Sequence, residues 1–478
     1  MRLSNKFPVG IRFGEFELDS AAFELRKNGS RVQLEPQVFE VLAYLVANPH
    51  RIVTRDELAR EVWKDDFVGD ATLSSRIMAA RKAIGDSGSE QRWIKTVHGR
   101  GFRFVGASET APPATLDLVE EAVLKPDLDA AAALLSQLSP AAMDDREGAR
   151  FALLQGQIIA IREGWSSPAA EASYQESIRR AEGVAATSVF RAARYHLATM
   201  YELRGDFARS EALMRAALGP DPEDSESCEL LACSLFHQGR FRESLTFAEQ
   251  GLEADGGPET WRLSAFYGEN PRVSCLHWLA LSLWFVGRDE EALRHASKAI
   301  RLAEDRRQLY ALAHARQQSA MLHQLRRDLH LCEHWATATV AIGERQGLRY
   351  REAAGKVLLG WSRAMLGQPG SEVLLDEGIA SILGQGALME APYFQTLVAE
   401  AECRRGELRQ AANRLDEVIE TLQSERGYFC LSETLRLRSE VESRLNPGSD
   451  QVQSLLIAAR RCAETQGALA MLSRLQSP

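Results

Sequence analysis

The chain has 478 residues, of which 45% are hydrophobic and 26% charged, and carries a formal net charge of −9. This length allows about two to four domains with a sizeable core. The most apolar run, Trp278 to Val286, is far short of the ~20 residues a bilayer requires, and Met1–Pro8 lacks the apolar centre of a signal peptide. Composition therefore predicts a soluble protein, with neither a membrane span nor a membrane partner. Seven cysteines (228, 233, 275, 332, 403, 430 and 462) are scattered and odd in number. They show neither zinc spacing nor a disulfide framework, which fits the reducing cytoplasm.

Charge is unevenly divided. Residues 1–107 hold 17 Lys/Arg against 14 Asp/Glu, leaving 40 against 52 for residues 108–478. The acidic balance belongs to the longer part and argues against an extended nucleic-acid track there.

In chain order, Phe13–Leu18, Phe23–Arg26 and Arg31–Leu34 alternate like strands, the last two joined through the turn pair Asn28-Gly29. Pro36 opens a helix carrying Val38, Phe39, Val41, Leu42, Leu45 and Val46, which ends near Asn48-Pro49. Thr54 and Glu57 form a capping box for a second helix reaching Trp63. A third helix follows, with Leu73, Ile77, Ala80 and Ile84 on one stripe. Trp93–Val105 then alternates apolar and basic residues around His98-Gly99-Arg100-Gly101, as a hairpin does. From Ala71 to Val105 seven Lys/Arg residues face two acids. A basic helix followed by a basic hairpin suits double-stranded DNA, the helix in the major groove and the hairpin tip at phosphates or the minor groove. Trp63, Trp93, Phe102 and Phe104 read as core, and Met78 as packing rather than base contact.

These segments resemble the effector domain of OmpR/PhoB-type response regulators, found also at the N-terminus of CadC- and ToxR-like regulators. The resemblance rests on Leu34-Glu-Pro-Gln-Val-Phe, Val53-Thr-Arg-Asp-Glu-Leu, Arg81-Lys-Ala-Ile-Gly-Asp and Thr96-Val-His-Gly-Arg-Gly-Phe-Arg-Phe, in that order. It implies an α+β winged helix-turn-helix DNA-binding domain over residues 1–106. It also implies that Ser74, Ser75 and Arg76 face the groove, with Arg76 able to pair bidentately with guanine. Arg55, Arg81 and Lys82 are expected at phosphates, although Arg81 and Lys82 also suit a helix C-terminus. Thr96 is expected to donate to a phosphate and Arg100 to enter a narrow minor groove. His98 stands where a wing arginine often lies in relatives, and Met78 and Ala79 replace common base-readers. The resemblance also places a polymerase-contacting loop at Lys64–Asp70, where Asp65, Asp66 and Asp70 suit RNA polymerase better than DNA, although Asp70 equally suits a helix cap.

Residues 107–117 are Pro-rich and read as a linker. From 118 to 478 strand signals are almost absent. Turns recur at Gly205-Asp-Phe, Gly239-Arg-Phe, Gly287-Arg-Asp, Gly367-Gln-Pro and Gly406-Glu-Leu, with a degenerate copy at Arg327-Asp-Leu. The unit around Gly205 (Leu197-Ala, Tyr201, Ala217-Leu, Pro222) resembles the tetratricopeptide repeat, and Ser432–Glu440 and Leu456–Ala463 resemble terminal units of MalT-like regulators. Such an all-α solenoid, of about seven to nine helix pairs, binds through its concave face. In that register Tyr195, Thr199 and Glu202, then Glu229, Cys233 and Phe236, then His277, Leu281 and Trp284 point inward. They either line a groove for an effector or protein, or pack against neighbouring helices.

No phosphate-binding loop, nucleophile elbow, dinucleotide fingerprint or paired-histidine metal motif occurs, and His323, His330 and His334 read as helix packing. No cofactor is expected. A receiver domain is absent too, so any switch acts through the solenoid. Two function classes remain: a transcription regulator with a sensing, partner-binding or oligomerising solenoid, and a scaffold whose winged helix docks protein. The basic helix and wing favour the first.

Overall fold

The computed structural model describes all residues except 1–9, 21, 50, 64–68, 98, 107–108, 111–113, 125–126, 165, 183, 185–186, 217–224, 255–269, 425–427 and 477–478. The chain divides into two units, Met1–Val119 with Asp129–Leu138, and Glu120–Leu128 with Ser139–Pro478.

In the first unit the alternating segments form strands β1 (Ile11–Phe13), β2 (Phe16–Asp19), β3 (Glu24–Lys27) and β4 (Ser30–Val32), paired antiparallel. Asn28 and Gly29 take positive φ (47° and 80°), as the tight turn requires. Three helices follow: α1 (Pro36–Ala47), α2 (Arg55–Leu58), which continues as a π-helical turn over Ala59–Trp63, and α3 (Asp70–Ala83). The capping box forms as expected, with Glu57 N–H donating to the Thr54 hydroxyl. The Glu57 carboxylate also accepts from Tyr44 at 2.7 Å and Arg51 at 2.6 Å, tying α2 to α1. The wing is the hairpin β5 (Ile94–Val97) and β6 (Gly101–Phe104). Its root pairs with Val53, whose N–H and carbonyl bond Phe102 at 2.8 and 2.9 Å. Gly101 is required here, because a Cβ on it would lie 2.1 Å from the Val53 carbonyl oxygen at a φ of +140°.

The stretch expected as a linker contributes structure. Strand β7 (Glu109–Thr110) pairs with β1, so the sheet runs β4-β3-β2-β1-β7. Helices α4 (Leu116–Leu124) and α5 (Leu128–Leu135) come next.

The second unit is a tetratricopeptide-like all-α solenoid. Its helices pair as α6 (Asp145–Glu163) with α7 (Pro168–Glu182), α8 (Thr187–Leu203) with α9 (Phe207–Arg215), and α10 (Ser225–His237) with α11 (Phe241–Glu253). Then come α12 (Pro271–Phe285) with α13 (Asp289–Asp305), α14 (Leu309–Leu325) with α15 (Leu329–Gln346), and α16 (Arg349–Met365) with α17 (Ser371–Gly384). The last pairs are α18 (Ala391–Arg405) with α19 (Leu408–Ser424) and α20 (Leu431–Leu445) with α21 (Asp450–Gln466), before a short α22 (Leu469–Arg474).

The glycine turns are helix caps. Gly205, Gly239, Gly287, Gly367 and Gly406 all have positive φ, and the next residue's N–H reaches back to the helix, as Asp206 does to the Tyr201 carbonyl at 2.8 Å. Arg327 adopts the same left-handed turn (φ 62°) without glycine. Its side chain explains the exception. The guanidinium bonds the Glu400 carboxylate on α18 at 2.9 Å and lies 5.1 Å from the Trp361 ring centroid on α16, while the Trp361 indole N–H donates to the same carboxylate at 2.8 Å.

The solenoid closes on itself. The final carbonyls of a helix need outside partners, and distant segments supply them. Leu388 and Met389 N–H bond the Leu203 carbonyl at 2.7 and 3.2 Å, and Phe429 N–H bonds that of His237 at 2.9 Å. Arg474 donates to the Leu325 carbonyl. The Arg327→Ala substitution is expected to lower the stability of this unit by about 2 kcal/mol or more, since it leaves buried Glu400 short of its cationic partner. Thermal unfolding of the full chain checks this: the transition of the second unit moves down, whereas Arg294→Ala on the exposed face of α13 leaves it in place.

Candidate nucleic-acid interface and solenoid cavity

On α3 the apolar stripe Leu73, Ile77, Ala80 and Ile84 is buried in the first unit's core. The opposite face presents Ser74, Ser75 and Lys82, all exposed. Met78 lies at the centre of that face and is 66% exposed. The expectation that it packs is therefore corrected: the buried stripe is complete without it, and its thioether projects between the serines and Lys82, where it suits contact with a thymine methyl. Arg76 stands about 160° around the helix from Met78 at 100° per residue. It is half-buried, with its guanidinium 2.6 Å from the Glu35 carboxylate at the start of α1. It lies on nearly the opposite side of the helix from the centre of the serine face, so the groove-facing position expected of it is corrected.

Arg81 departs furthest from expectation. It is buried, and its guanidinium donates to the Ile94 carbonyl at 2.6 and 3.1 Å and to the Thr96 hydroxyl at 2.9 Å. Burial also holds the group below its ordinary pKa, although nearby Asp86 opposes the shift. Arg81 is thus a strut between α3 and the wing rather than a free phosphate ligand, while Lys82 beside it is exposed. Thr96 accepts that strut with its oxygen and keeps its own hydroxyl proton for another acceptor.

Asp86 completes the joint, and the sequence reading did not single it out. Its buried carboxylate accepts the backbone N–H groups of Ser87, Arg92, Trp93 and Ile94 at 2.8–2.9 Å. Burial alone raises its pKa, but the four donors outweigh burial and hold the group below its usual range. The available signal was a lone acid placed directly after the glycine cap of a helix in a basic segment.

The wing carries Arg100 exposed at its turn, and Lys95 pairs directly across from Arg103. Arg55 is exposed beside the wing root, 5.7 Å from the Phe102 ring centroid. Phe102 and Phe104 are buried, and Trp93 packs edge-on to Phe13 at 5.5 Å, as core residues. Trp63 packs against the same core. Asp65, Asp66 and His98 lie outside the described residues, as does the side chain of Asp70.

In the solenoid, part of the expected groove is filled. Phe236 is fully buried, 4.8 Å from the Phe429 ring and 5.4 Å from that of Trp278. Trp284 is buried with the Arg474 guanidinium 5.6 Å over its ring. The closing C-terminal segments, through Phe429 and Arg474, cover both rings. His277 is buried against the Trp278 and His314 rings. Tyr195, Thr199, Glu202, Glu229 and Cys233 do converge, on a cavity of about 100 Å³. Trp278, Tyr310, His314, Tyr350 and Arg351 complete its wall; the sequence missed most of these because they come from repeats whose register is degenerate.

Among the described residues no helix is long and apolar enough to cross a membrane, and no three His, Cys, Asp or Glu residues are grouped to hold a metal ion.

Residues 29–104 match the family model described as "Transcriptional regulatory protein, C terminal". The Staphylococcus aureus transcriptional regulatory protein SrrA is 32% identical over 104 residues, which is 21% of this chain and 43% of that protein. The chain thus spans less than half the length of the curated relatives it matches. The DNA-binding domain of Escherichia coli CadC is 27% identical, covering 22% of this chain and 97% of that one, at a TM-score of 0.20. A Rap protein complexed with Competence and Sporulation Factor is 18% identical, covers 74% of this chain and 98% of that one, and gives a TM-score of 0.53. That last likeness is one of fold. The first unit contains an OmpR/PhoB-type winged-helix DNA-binding domain.

Replacing Asp86 by Ala leaves its backbone donors without a partner and is expected to destabilise the winged-helix unit by about 3 kcal/mol or more. Because the folded state lowers the Asp86 pKa, its contribution is complete above the ordinary carboxylate value of about 4 and is lost as pH falls below that toward the lowered folded-state value. Tryptophan fluorescence of Trp93 against pH should lose this acid transition in the variant.

Proposed function

We propose that this chain, whose residues 29–104 form an OmpR/PhoB-type domain, is a one-component transcription regulator working in the cytoplasm by binding rather than catalysis. The winged helix takes double-stranded DNA, and the solenoid senses an effector, contacts a partner or assembles copies of the chain. The observation that carries this reading is the exposed face of Ser74, Ser75, Met78 and Lys82, held by the Arg81 strut beside a wing bearing Arg100. The Lys95–Arg103 cross-strand pair supports it further, since like charges placed opposite each other destabilise a hairpin unless a polyanion meets them. The Rap protein of similar fold is complexed with Competence and Sporulation Factor, which supports an effector role for the solenoid. A single winged helix normally needs a second copy for useful specificity, so a homo-oligomer on paired half-sites belongs to the proposal. So does activation through an RNA polymerase contact at Lys64–Asp70, which rests on the family resemblance alone.

The exposed Met78 favours one competing reading, a winged helix that docks protein. Electrophoretic shifts of the promoter DNA beside its own gene separate the two. Lys82→Ala and Arg100→Ala should each weaken binding to all sequences and flatten the salt slope by about one counterion. Met78→Ala should instead change discrimination among sequences by about 1 kcal/mol at one base position. If none of the three alters DNA affinity at low salt, the docking reading takes over.

A further inference from the structure

Base pairs are told apart in the major groove by two kinds of contact. Arg, Lys, Asn and Gln bond two atoms of one base, and Asp and Glu accept from cytosine; apolar atoms instead pack on the C5 methyl of thymine. A hydroxyl rotates to suit either a donor or an acceptor, so serine and threonine separate the four bases poorly.

The face of α3 offers almost nothing of the first kind. Among the described residues its exposed side chains are Thr72, Ser74, Ser75, Met78 and Lys82. Lys82 stands in the last turn, whereas a recognition helix meets base edges with its N-terminal turns. Both arginines of the helix are engaged elsewhere. Arg76 is 2.6 Å from the Glu35 carboxylate on the far side of the helix, and Arg81 is buried against the Ile94 carbonyl and the Thr96 hydroxyl. The turns before Lys82 therefore present three hydroxyls and one thioether.

Met78, at 66%, is the most exposed large apolar side chain among the described residues. Ser74 and Ser75 precede it by four and three residues and Lys82 follows it by four, so all three are its surface neighbours on the helix. The serines are short, and the thioether stands out beyond them. A lone exposed apolar side chain is ordinary on a protein surface. This one occupies the centre of the face turned to the bases, where its neighbours in the first turns cannot discriminate. Its unbranched chain also adapts to a contact that a stiffer side chain would miss.

We propose that α3 reads thymine methyl groups, with Met78 as the specificity-determining side chain, so that the preferred site carries a C5-methylated pyrimidine beneath it. The proposal rests on the reading of the first unit as a sequence-discriminating DNA-binding domain and gives that domain its major-groove ligand. Ser74 and Ser75 bond whichever base atoms flank the methyl, while Lys82 and Arg100 hold the backbone. Guanine N7 and O6 have no dedicated partner on this face. Discrimination is accordingly shallow: one methyl withdrawn from water is worth about fourfold in affinity, where a bidentate pair reaches about a hundredfold.

The test starts from duplexes that the full chain selects from a randomised pool. Their thymines are replaced one at a time by deoxyuridine, which removes only the methyl. At one position or more the parent should bind about fourfold more weakly, and 5-methylcytosine at that position should bind more tightly than cytosine by a similar factor. Met78→Ala should bind the thymine and uracil duplexes equally, whereas Met78→Leu, which keeps an apolar tip, should still prefer thymine. Because parent and variant meet the same two duplexes, any change in DNA stacking cancels and the side chain alone is read. Replacing guanines by 7-deazaguanine should cost the parent less than deoxyuridine does. The assignment is overturned if no deoxyuridine weakens the parent, if Met78→Ala keeps the full penalty, or if 7-deazaguanine costs as much. A chain that selects a sequence yet ignores the methyl loses only this readout. One that selects no sequence loses the DNA-reading account, and this inference with it.

Discussion

The first unit depends on one joint, where the Asp86 carboxylate gathers four backbone N–H groups and Arg81 bonds the Ile94 carbonyl next to them. A recognition helix and a wing that move independently would read DNA poorly, because each loses orientational entropy separately on binding. Here the helix end, the connector and the first wing strand share a single charged node. The node is buried, so salt that weakens phosphate contacts leaves it largely intact. Rigidity of the reading head is thus separated from the electrostatics that bring it to DNA.

A comparable economy shapes the second unit. Open solenoids leave helix C-terminal carbonyls to water, whereas here the carbonyls of Leu203, His237 and Leu325 are bonded by segments far along the chain. Closure buries an aromatic cluster around Phe236, Trp278, Phe285 and Phe429.

Much of this was legible in the sequence. Strand alternation, the Asn28-Gly29 turn, the Thr54–Glu57 capping box and the glycine turns are local signals, and local bonds realise them. The fold of both units followed from such signals and from the family resemblance. Contacts between elements were harder to read. Arg81 looked like a phosphate ligand because its charge and helix position suit one; only the third dimension brings Ile94 beneath it. Met78 looked apolar enough to pack, yet the stripe from Leu73 to Ile84 already fills the core. Phe236 and Trp284 sat in the right register for a concave surface, but a segment nearly 200 residues further on covers Phe236, and no periodicity announces that. Tyr195 fell on the cavity because the early repeats keep the repeat spacing.

The central claim is that the first unit reads DNA through a charged and sequence-discriminating face. Fluorescence anisotropy of the full chain on promoter DNA and on a scrambled duplex, across a salt series from 50 to 300 mM, tests it most directly. The account predicts tighter binding to the promoter and a steep loss of affinity with salt on both duplexes, the slope reporting several phosphate contacts. Equal affinity for both sequences, or binding indifferent to salt, would contradict it.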